Sequence, residues 1–161
     1  MDIFKDIVTN HMILVPIIAW AVCQFVKIII NWIKEKKFDI KKLISDGGMP
    51  SAHVATVASL ATVCGFVYGF GAAPFAISAV LTVVILRDAV SVRFQTGVNA
   101  RAIKKLEEKM NETLPEESKV DIGKIKLTGG HTPLQCVVGV AVGVLVAVLY
   151  ILIVSVQSLV Y

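Results

Sequence analysis

Four long apolar runs, separated by shorter polar segments, dominate the pattern of hydrophobic and polar positions along the chain. The runs cover about residues 12–33, 51–70, 76–92 and 133–155. Each approaches the roughly 20 residues that a helix needs to cross the hydrocarbon core of a bilayer. The pattern therefore predicts four membrane-spanning helices. The second and third are expected to be antiparallel neighbours, because only a short turn joins them.

A longer polar segment, residues 93–130, lies between the third and fourth runs. Apolar residues recur within it every four positions, and basic residues cover much of the remaining helical surface. The apolar positions are Val98, Ala102, Leu106 and Met110. This spacing predicts an amphipathic helix that lies on an anionic membrane surface.

Composition indicates the same class of protein. The chain has 161 residues, of which 56% are hydrophobic, and its mean hydropathy is +0.77. A soluble domain is usually about 45–50% apolar. The first apolar run is too long for a signal peptide. We therefore expect an all-α integral membrane helix bundle, with about four transmembrane helices and one interfacial amphipathic helix, formed by residues 1–161 as one domain.

Basic residues are distributed unevenly between the two predicted faces of the membrane. Residues 34–42 and 93–130 carry nearly all of the Lys and Arg, whereas the turn at residues 69–75 carries none. The positive-inside rule places the two basic segments in the cytoplasm and both termini outside. We therefore expect an integral plasma membrane protein of bacterial origin whose environment is the lipid bilayer, with no nucleic-acid partner.

Two glycine-containing stretches precede apolar runs at the predicted cytoplasmic face. They are Gly47-Gly48-Met49-Pro50-Ser51-Ala52-His53 and Gly129-Gly130-His131-Thr132-Pro133. Paired glycines let backbone N–H groups point at a common spot, and the first turn of a helix adds unpaired N–H groups and a partial positive charge. These features are typical of a phosphate-binding site. Each histidine could attack a phosphorus atom or protonate a leaving oxygen.

The predicted topology brings several polar residues to one level of the membrane. They are Lys27, Lys34, His53, Asp88, Arg93 and His131. A charge within a span is a functional candidate by default, but ordinary explanations are also open. Lys27 could snorkel to the interface, Arg93 could be a positive flank, and Asp88 could pair with a neighbouring cation. The histidines could simply be interfacial, and Gln135 could serve only in a capping box with Thr132.

The ordered set of motifs resembles a known family. Gly-Gly-Met-Pro-Ser-Ala-His at 47–53, Asp-Ala-Val-Ser-Val-Arg at 88–93 and Gly-Gly-His-Thr-Pro at 129–133 are the matching elements. In order and spacing they look like the divergent branch of the type 2 phosphatidic acid phosphatase family, which is related to vanadium-dependent haloperoxidases. The resemblance covers about residues 24–143.

The resemblance implies a catalytic pair of histidines and no metal or other cofactor. His131 is implied to be the nucleophile that forms a phosphohistidine, and His53 the acid that protonates the leaving alkoxide. Where the family has an acidic residue four positions after the second histidine, this chain has Gln135. A neutral amide can orient an imidazole but cannot stabilise imidazolium as a carboxylate does. Asp88 could substitute from the neighbouring helix.

The resemblance also implies a cradle for the phosphoryl oxygens. Its members are Lys27, Arg93 and the backbone near Ser51 and Gly130. Lys34 follows Lys27 at the spacing of the family's first motif, although the Arg-Pro of that motif is absent. The chain has fewer spans than the main branch of the family, so a homodimer could complete the core.

These observations predict a lipid phosphate phosphatase. It would hydrolyse a phosphomonoester or diphosphate of a membrane lipid, at the cytoplasmic face, through a phosphohistidine. Gln135 motivates an alternative from a different class, a carrier, flippase or sensor that binds a lipid phosphate without hydrolysing it. A membrane scaffold with no ligand is a third possibility.

Overall fold

Helices make up most of the structure. The computed structural model describes residues 2–36, 48–123, 125 and 130–160, without the side chains of residues 34, 35 and 156–160, and this part of the chain forms no β-strand. Its α-helices are α1 (Ile3–Val8), α2 (His11–Glu35), α3 (Ala52–Tyr68), α4 (Ala73–Arg87), α5 (Arg93–Thr113) and α6 (Pro133–Val160). A π-helical segment, Asp88–Val92, joins α4 to α5, and a 3-10 turn, Glu116–Ser118, follows α5. The predicted all-α class is confirmed.

Three helices in the described part of the chain are long and apolar enough to cross a membrane. They are His11–Ile33 within α2, the continuous helix Ala73–Thr113, and Pro133–Ser155 within α6. The fourth apolar helix, α3, has 17 residues, which corresponds to about 26 Å against a hydrocarbon core about 30 Å thick. The predicted membrane bundle is therefore confirmed for three spans, and α3 is a shorter apolar helix packed among them.

α3 lies between α2, α4 and α6 and contacts all three. Its small residues allow this close packing, and Ala55, Ala58 and Ser59 are buried. The approach of α6 is closest at two glycines. A Cβ atom at Gly139 would lie 2.6 Å from the carbonyl oxygen of Ser51. One at Gly143 would lie 2.4 Å from that of Ala55. The start of α3 is therefore held directly against the backbone of α6.

The third apolar run continues into the polar segment without a break. α4, the π-helical segment and α5 form one helix of 41 residues, about 60 Å long. The sequence pattern predicted two separate helices that meet near Val92. No proline lies at this junction, and Val92 has helical angles of φ −62° and ψ −54°. The predicted amphipathic helix is therefore present as α5, but it is the continuation of α4.

The starts of α3 and α6 meet the π-helical segment at one end of the bundle. The backbone N–H of Ser51 donates to the carbonyl oxygen of Gln135 at 3.1 Å, and that of His131 donates to the carbonyl oxygen of Ala89 at 3.0 Å. Val54, Ala89 and Cys136 form a buried cluster beneath these bonds. Three elements that are distant in the sequence are thus joined where the candidate residues lie.

At this end of the bundle, α6 begins with a capping box, whereas α3 begins without a side-chain capping bond. The Thr132 hydroxyl accepts the Gln135 N–H at 3.4 Å, and the Gln135 side chain accepts the Thr132 N–H at 3.1 Å, which is the predicted capping box. Ser51 is the N-cap of α3, but its side chain makes no capping bond. Pro50 immediately precedes this N-cap residue and lies outside the helix.

Candidate functional site

His131 is enclosed between the π-helical segment and the first turn of α6. Its side chain is only 4% exposed. The preceding residue, Gly130, has φ +72°, and a Cβ atom there would lie 2.1 Å from the backbone nitrogen of Phe94. Any side chain at position 130 would collide with backbone, which cannot move independently of α5. Glycine therefore allows the chain to bring His131 against this junction.

The imidazole of His131 has a defined tautomer in this arrangement. Its Nδ1 lies 3.2 Å from Oε1 of Gln135. The same Oε1 accepts the backbone N–H of Thr132 at 3.1 Å, so it is an acceptor and Nδ1 must carry the ring proton. The lone pair of the neutral ring is then on Nε2. Gln135 caps the helix and also orients the ring, so both explanations of this residue hold together.

Cationic side chains from other elements act on His131. Burial is the main cause that lowers the pKa of this imidazole below its ordinary value of 6.5, and the hydrogen bond with Gln135 opposes it. The positive charges that Lys27, His53 and Arg93 carry when protonated lower the pKa further. Contacts show the same arrangement: the Ser51 N–H bonds to the carbonyl oxygen of Gln135, and a Cβ atom at Gly130 would lie 2.6 Å from the carbonyl carbon of Arg93. The starts of α3 and α5 therefore lie beside the turn that carries His131.

Lys27 is buried rather than extended to the interface. It is 5% exposed, and a Cβ atom at Gly48 would lie 4.0 Å from its Cδ. Its neighbour Cys23 packs against Ala52 and Ala55 at the start of α3. This burial does not fit snorkelling, in which the ammonium group reaches water. It places a cation inside the bundle beside the start of α3.

Asp88 is bonded to Arg93. The Arg93 Nε donates to Oδ2 of Asp88 at 2.6 Å, and the two side chains are 36% and 56% exposed for Asp88 and Arg93 respectively. An ion pair this exposed contributes little to stability. The group on Nδ1 of His131 is Gln135, so the geometry does not support Asp88 as the substitute for the missing carboxylate. The ordinary explanation, pairing with a neighbouring cation, describes Asp88.

Two polar atoms near Lys27 are buried without a hydrogen-bond partner in the part of the chain that the structure describes. They are Oγ of Ser51, a fully buried residue, and Oε1 of Gln24, which is 9% exposed. The resemblance implied that the backbone near Ser51 belongs to the cradle, but the sequence alone did not single out Gln24. The available signal was its position three residues before Lys27, on the same helical face.

Some predicted features lie outside the described residues. These are Gly47, Gly129, much of the basic loop at 34–42, and the side chain of Lys34. Within the described ranges, no three His, Cys, Asp or Glu side chains are grouped so that they could hold a metal ion. What the described residues do offer is a neutral Nε2, a second imidazole, cations and an unused hydroxyl. That set suits an oxyanion that reacts at its central atom.

Comparison with known proteins agrees with the motifs. Residues 8–146 match the model of the divergent PAP2 family. The chain is also similar to the uncharacterized membrane protein YuiD of Bacillus subtilis (strain 168), with 32% identity over 147 residues that cover 87% of this chain and 93% of that protein. No solved structure gives a significant match. The chain is a membrane protein that belongs to the divergent PAP2 family.

Proposed function

We propose that this protein is a lipid phosphate phosphatase that hydrolyses a phosphomonoester or diphosphate of a membrane lipid through a phosphohistidine. The observation that carries the proposal is the environment of His131. Its Nδ1 is bonded to Gln135, and the charges of Lys27, His53 and Arg93 act on the same ring. Phosphoryl transfer depends mainly on positioning and on stabilising charge, and this environment provides both.

In the first step, Nε2 of His131 attacks the phosphorus atom. A nitrogen–phosphorus bond forms as the bond between phosphorus and the leaving oxygen breaks. His53, in its protonated form, transfers its proton to that oxygen, so a monoester leaves as the lipid alcohol and a diphosphate leaves as the lipid monophosphate. Lys27 and Arg93 balance the negative charge on the phosphoryl oxygens, and the Ser51 hydroxyl and the backbone N–H of Gly130 donate hydrogen bonds to them.

In the second step, water attacks the phosphohistidine. His53, now neutral, takes a proton from the water as the oxygen–phosphorus bond forms. The nitrogen–phosphorus bond breaks and returns the electron pair to Nε2 of His131. Inorganic phosphate leaves, and both imidazoles are restored to their starting states. The lowered pKa of His131 keeps its nitrogen unprotonated and nucleophilic at neutral pH.

The proposal includes a location. The positive-inside rule places this end of the bundle at the cytoplasmic face of a bacterial plasma membrane. The lipid portion of the substrate would remain in the bilayer beside the apolar helices. A homodimer would cover the exposed apolar side of α4, where Ile77, Val80 and Val84 face outward.

The test is phosphate release by the purified protein from phosphatidic acid, phosphatidylglycerophosphate and a polyprenyl diphosphate. We expect release from at least one of them, and its loss in His131→Ala. His11→Ala is a matched control, because His11 lies at the other end of α2, bonded to Tyr150 at 2.7 Å. Radiolabel from the substrate phosphate should be trapped on His131. A folded protein without activity on any of the three lipids would contradict the proposal.

Gln135 supports one second candidate, a protein that binds a lipid phosphate without cleaving it. An amide beside Nδ1 stabilises the positive charge of a phosphohistidine less than a carboxylate does. Gln135→Glu separates the two functions. A large gain in hydrolysis indicates an enzyme weakened by the amide, whereas binding without turnover in both forms indicates a carrier, flippase or sensor.

A further inference from the structure

Among the residues that the structure describes, the buried polar atoms without a hydrogen-bond partner belong to Gln24 in α2 and to Ser51 at the start of α3. Gln24 precedes Lys27 by three residues in α2, so it lies on the same face about 4.5 Å further along the helix axis. Lys27 itself is buried, and its Cδ lies 4.0 Å from the position of a Cβ atom at Gly48, three residues before Ser51. The neighbouring residue Cys23 packs on Ala52, so this face of α2 meets the start of α3, where Ser51 is the N-cap.

These two side chains differ in what they offer to an oxyanion. The hydroxyl of Ser51 can donate to a phosphoryl oxygen. The carbonyl oxygen of Gln24 can only accept, and it repels an oxygen that carries no proton. Its orphaned Oε1 is therefore satisfied by an oxyanion that bears an O–H group, and it opposes an oxyanion in which every oxygen is deprotonated.

We propose that Gln24 makes the pocket selective for a protonated phosphate group, one that carries a P–OH, over fully deprotonated oxyanions. This inference rests on the proposed function and specifies its substrate further. The reacting species is the phosphate monoanion of the lipid monoester, or the protonated terminal phosphate of a diphosphate. Gln24 accepts the P–OH hydrogen, Ser51 donates to a second oxygen, and Lys27 neutralises the charge.

The experiment compares inorganic phosphate with sulfate, which has the same shape but carries no proton at pH 6. Binding to the purified full-length protein in detergent is measured by titration calorimetry at equal ionic strength. We expect phosphate to bind at least about tenfold more tightly than sulfate, since a hydrogen bond to a charged partner is worth about that factor. Gln24→Leu should reduce this ratio to near one, through loss of phosphate affinity. Gln95→Leu is the matched control, because Gln95 lies in α5, bonded to Asn99.

Two results would overturn the role of Gln24. One is equal affinity of the unmodified protein for the two anions, which needs no variant to fold. The other is an unchanged ratio in folded Gln24→Leu. In either case, hydrolysis of a lipid phosphate by the unmodified protein would leave the proposed function standing. Failure of the proposed function has a different signature, namely no hydrolysis together with intact preference for phosphate over sulfate.

Discussion

Replacing Gly139 with alanine tests the close contact between α3 and α6 that positions the site. The new methyl carbon would lie 2.6 Å from the carbonyl oxygen of Ser51, whereas ordinary contacts begin at 3.4 Å. The two helices must therefore separate by about 0.8 Å, the difference between these distances. Both atoms are attached rigidly to backbone, so no side-chain rotation can relieve the overlap.

The separation of α3 from α6 should also change the relative positions of the histidines. The N–H of Ser51 donates to the carbonyl of Gln135 at 3.1 Å, so moving α3 stretches this bond and carries His53 away from His131. A misplacement of about 1 Å can cost on the order of 100-fold in rate. We therefore expect kcat/KM for phosphate release to fall by roughly 10- to 100-fold.

The change in Tm, measured by thermal unfolding, is an independent test, and its expected direction is clear. At an open helical position, alanine stabilises by about 1 kcal/mol relative to glycine, whereas here we expect Tm to fall. Gly71→Ala, in the turn before α4, is the control for an uncrowded glycine, since no described atom lies within 4 Å of a Cβ at that position, and its Tm should change little. A Gly139→Ala variant with unchanged activity and a raised Tm would refute the close contact of the two helices.

Three further predictions concern the immediate surroundings of the nucleophile. Because the pKa of His131 is lowered from 6.5, the acid limb of the kcat/KM profile should lie below pH 6.5, and Gln135→Glu should move it upward. Stability should likewise decline as pH falls below 6.5, since the unfolded chain then binds a proton that the folded state does not. Gly130→Ala should lower both Tm and activity, measured by thermal unfolding and phosphate release. Gly123→Ala, with a similar φ of +68° but open space around it, should cost only the backbone strain, about 1–2 kcal/mol.

Helix identities and one helix start could be predicted because their causes are local. The apolar runs indicated α2, α3, α4 and α6, and the pairing of Thr132 with Gln135 indicated where α6 begins. The continuity of α4 and α5 could not be predicted from hydropathy, because that pattern changes at the membrane boundary while helical backbone geometry does not. The lack of a proline near Val92 favoured one continuous helix, and the hydropathy pattern takes no account of it.

The candidate site also combines features that the sequence could predict with features that it could not. The motifs identified His53, His131 and Arg93 as residues worth examining, but their spacing carries no information about which side chains bond to one another. Asp88 is bonded to Arg93 and Gln135 is bonded to His131. The first pairing joins residues five apart across the π-helical segment, whereas the second joins residues four apart at the start of α6, at the spacing that the family motif implied.

The sequence by itself determined an all-α membrane protein and the order of its motifs, because span length, capping and charge asymmetry arise from residues close together in the chain. Only the tertiary structure decided that, among the residues it describes, Gln24 and Ser51 keep buried polar atoms without a hydrogen-bond partner. Burial and hydrogen-bond satisfaction are properties of how helices pack. Glycines at the contact of α3 and α6 set that packing. No pattern of neighbouring residues along the sequence predicts this contact.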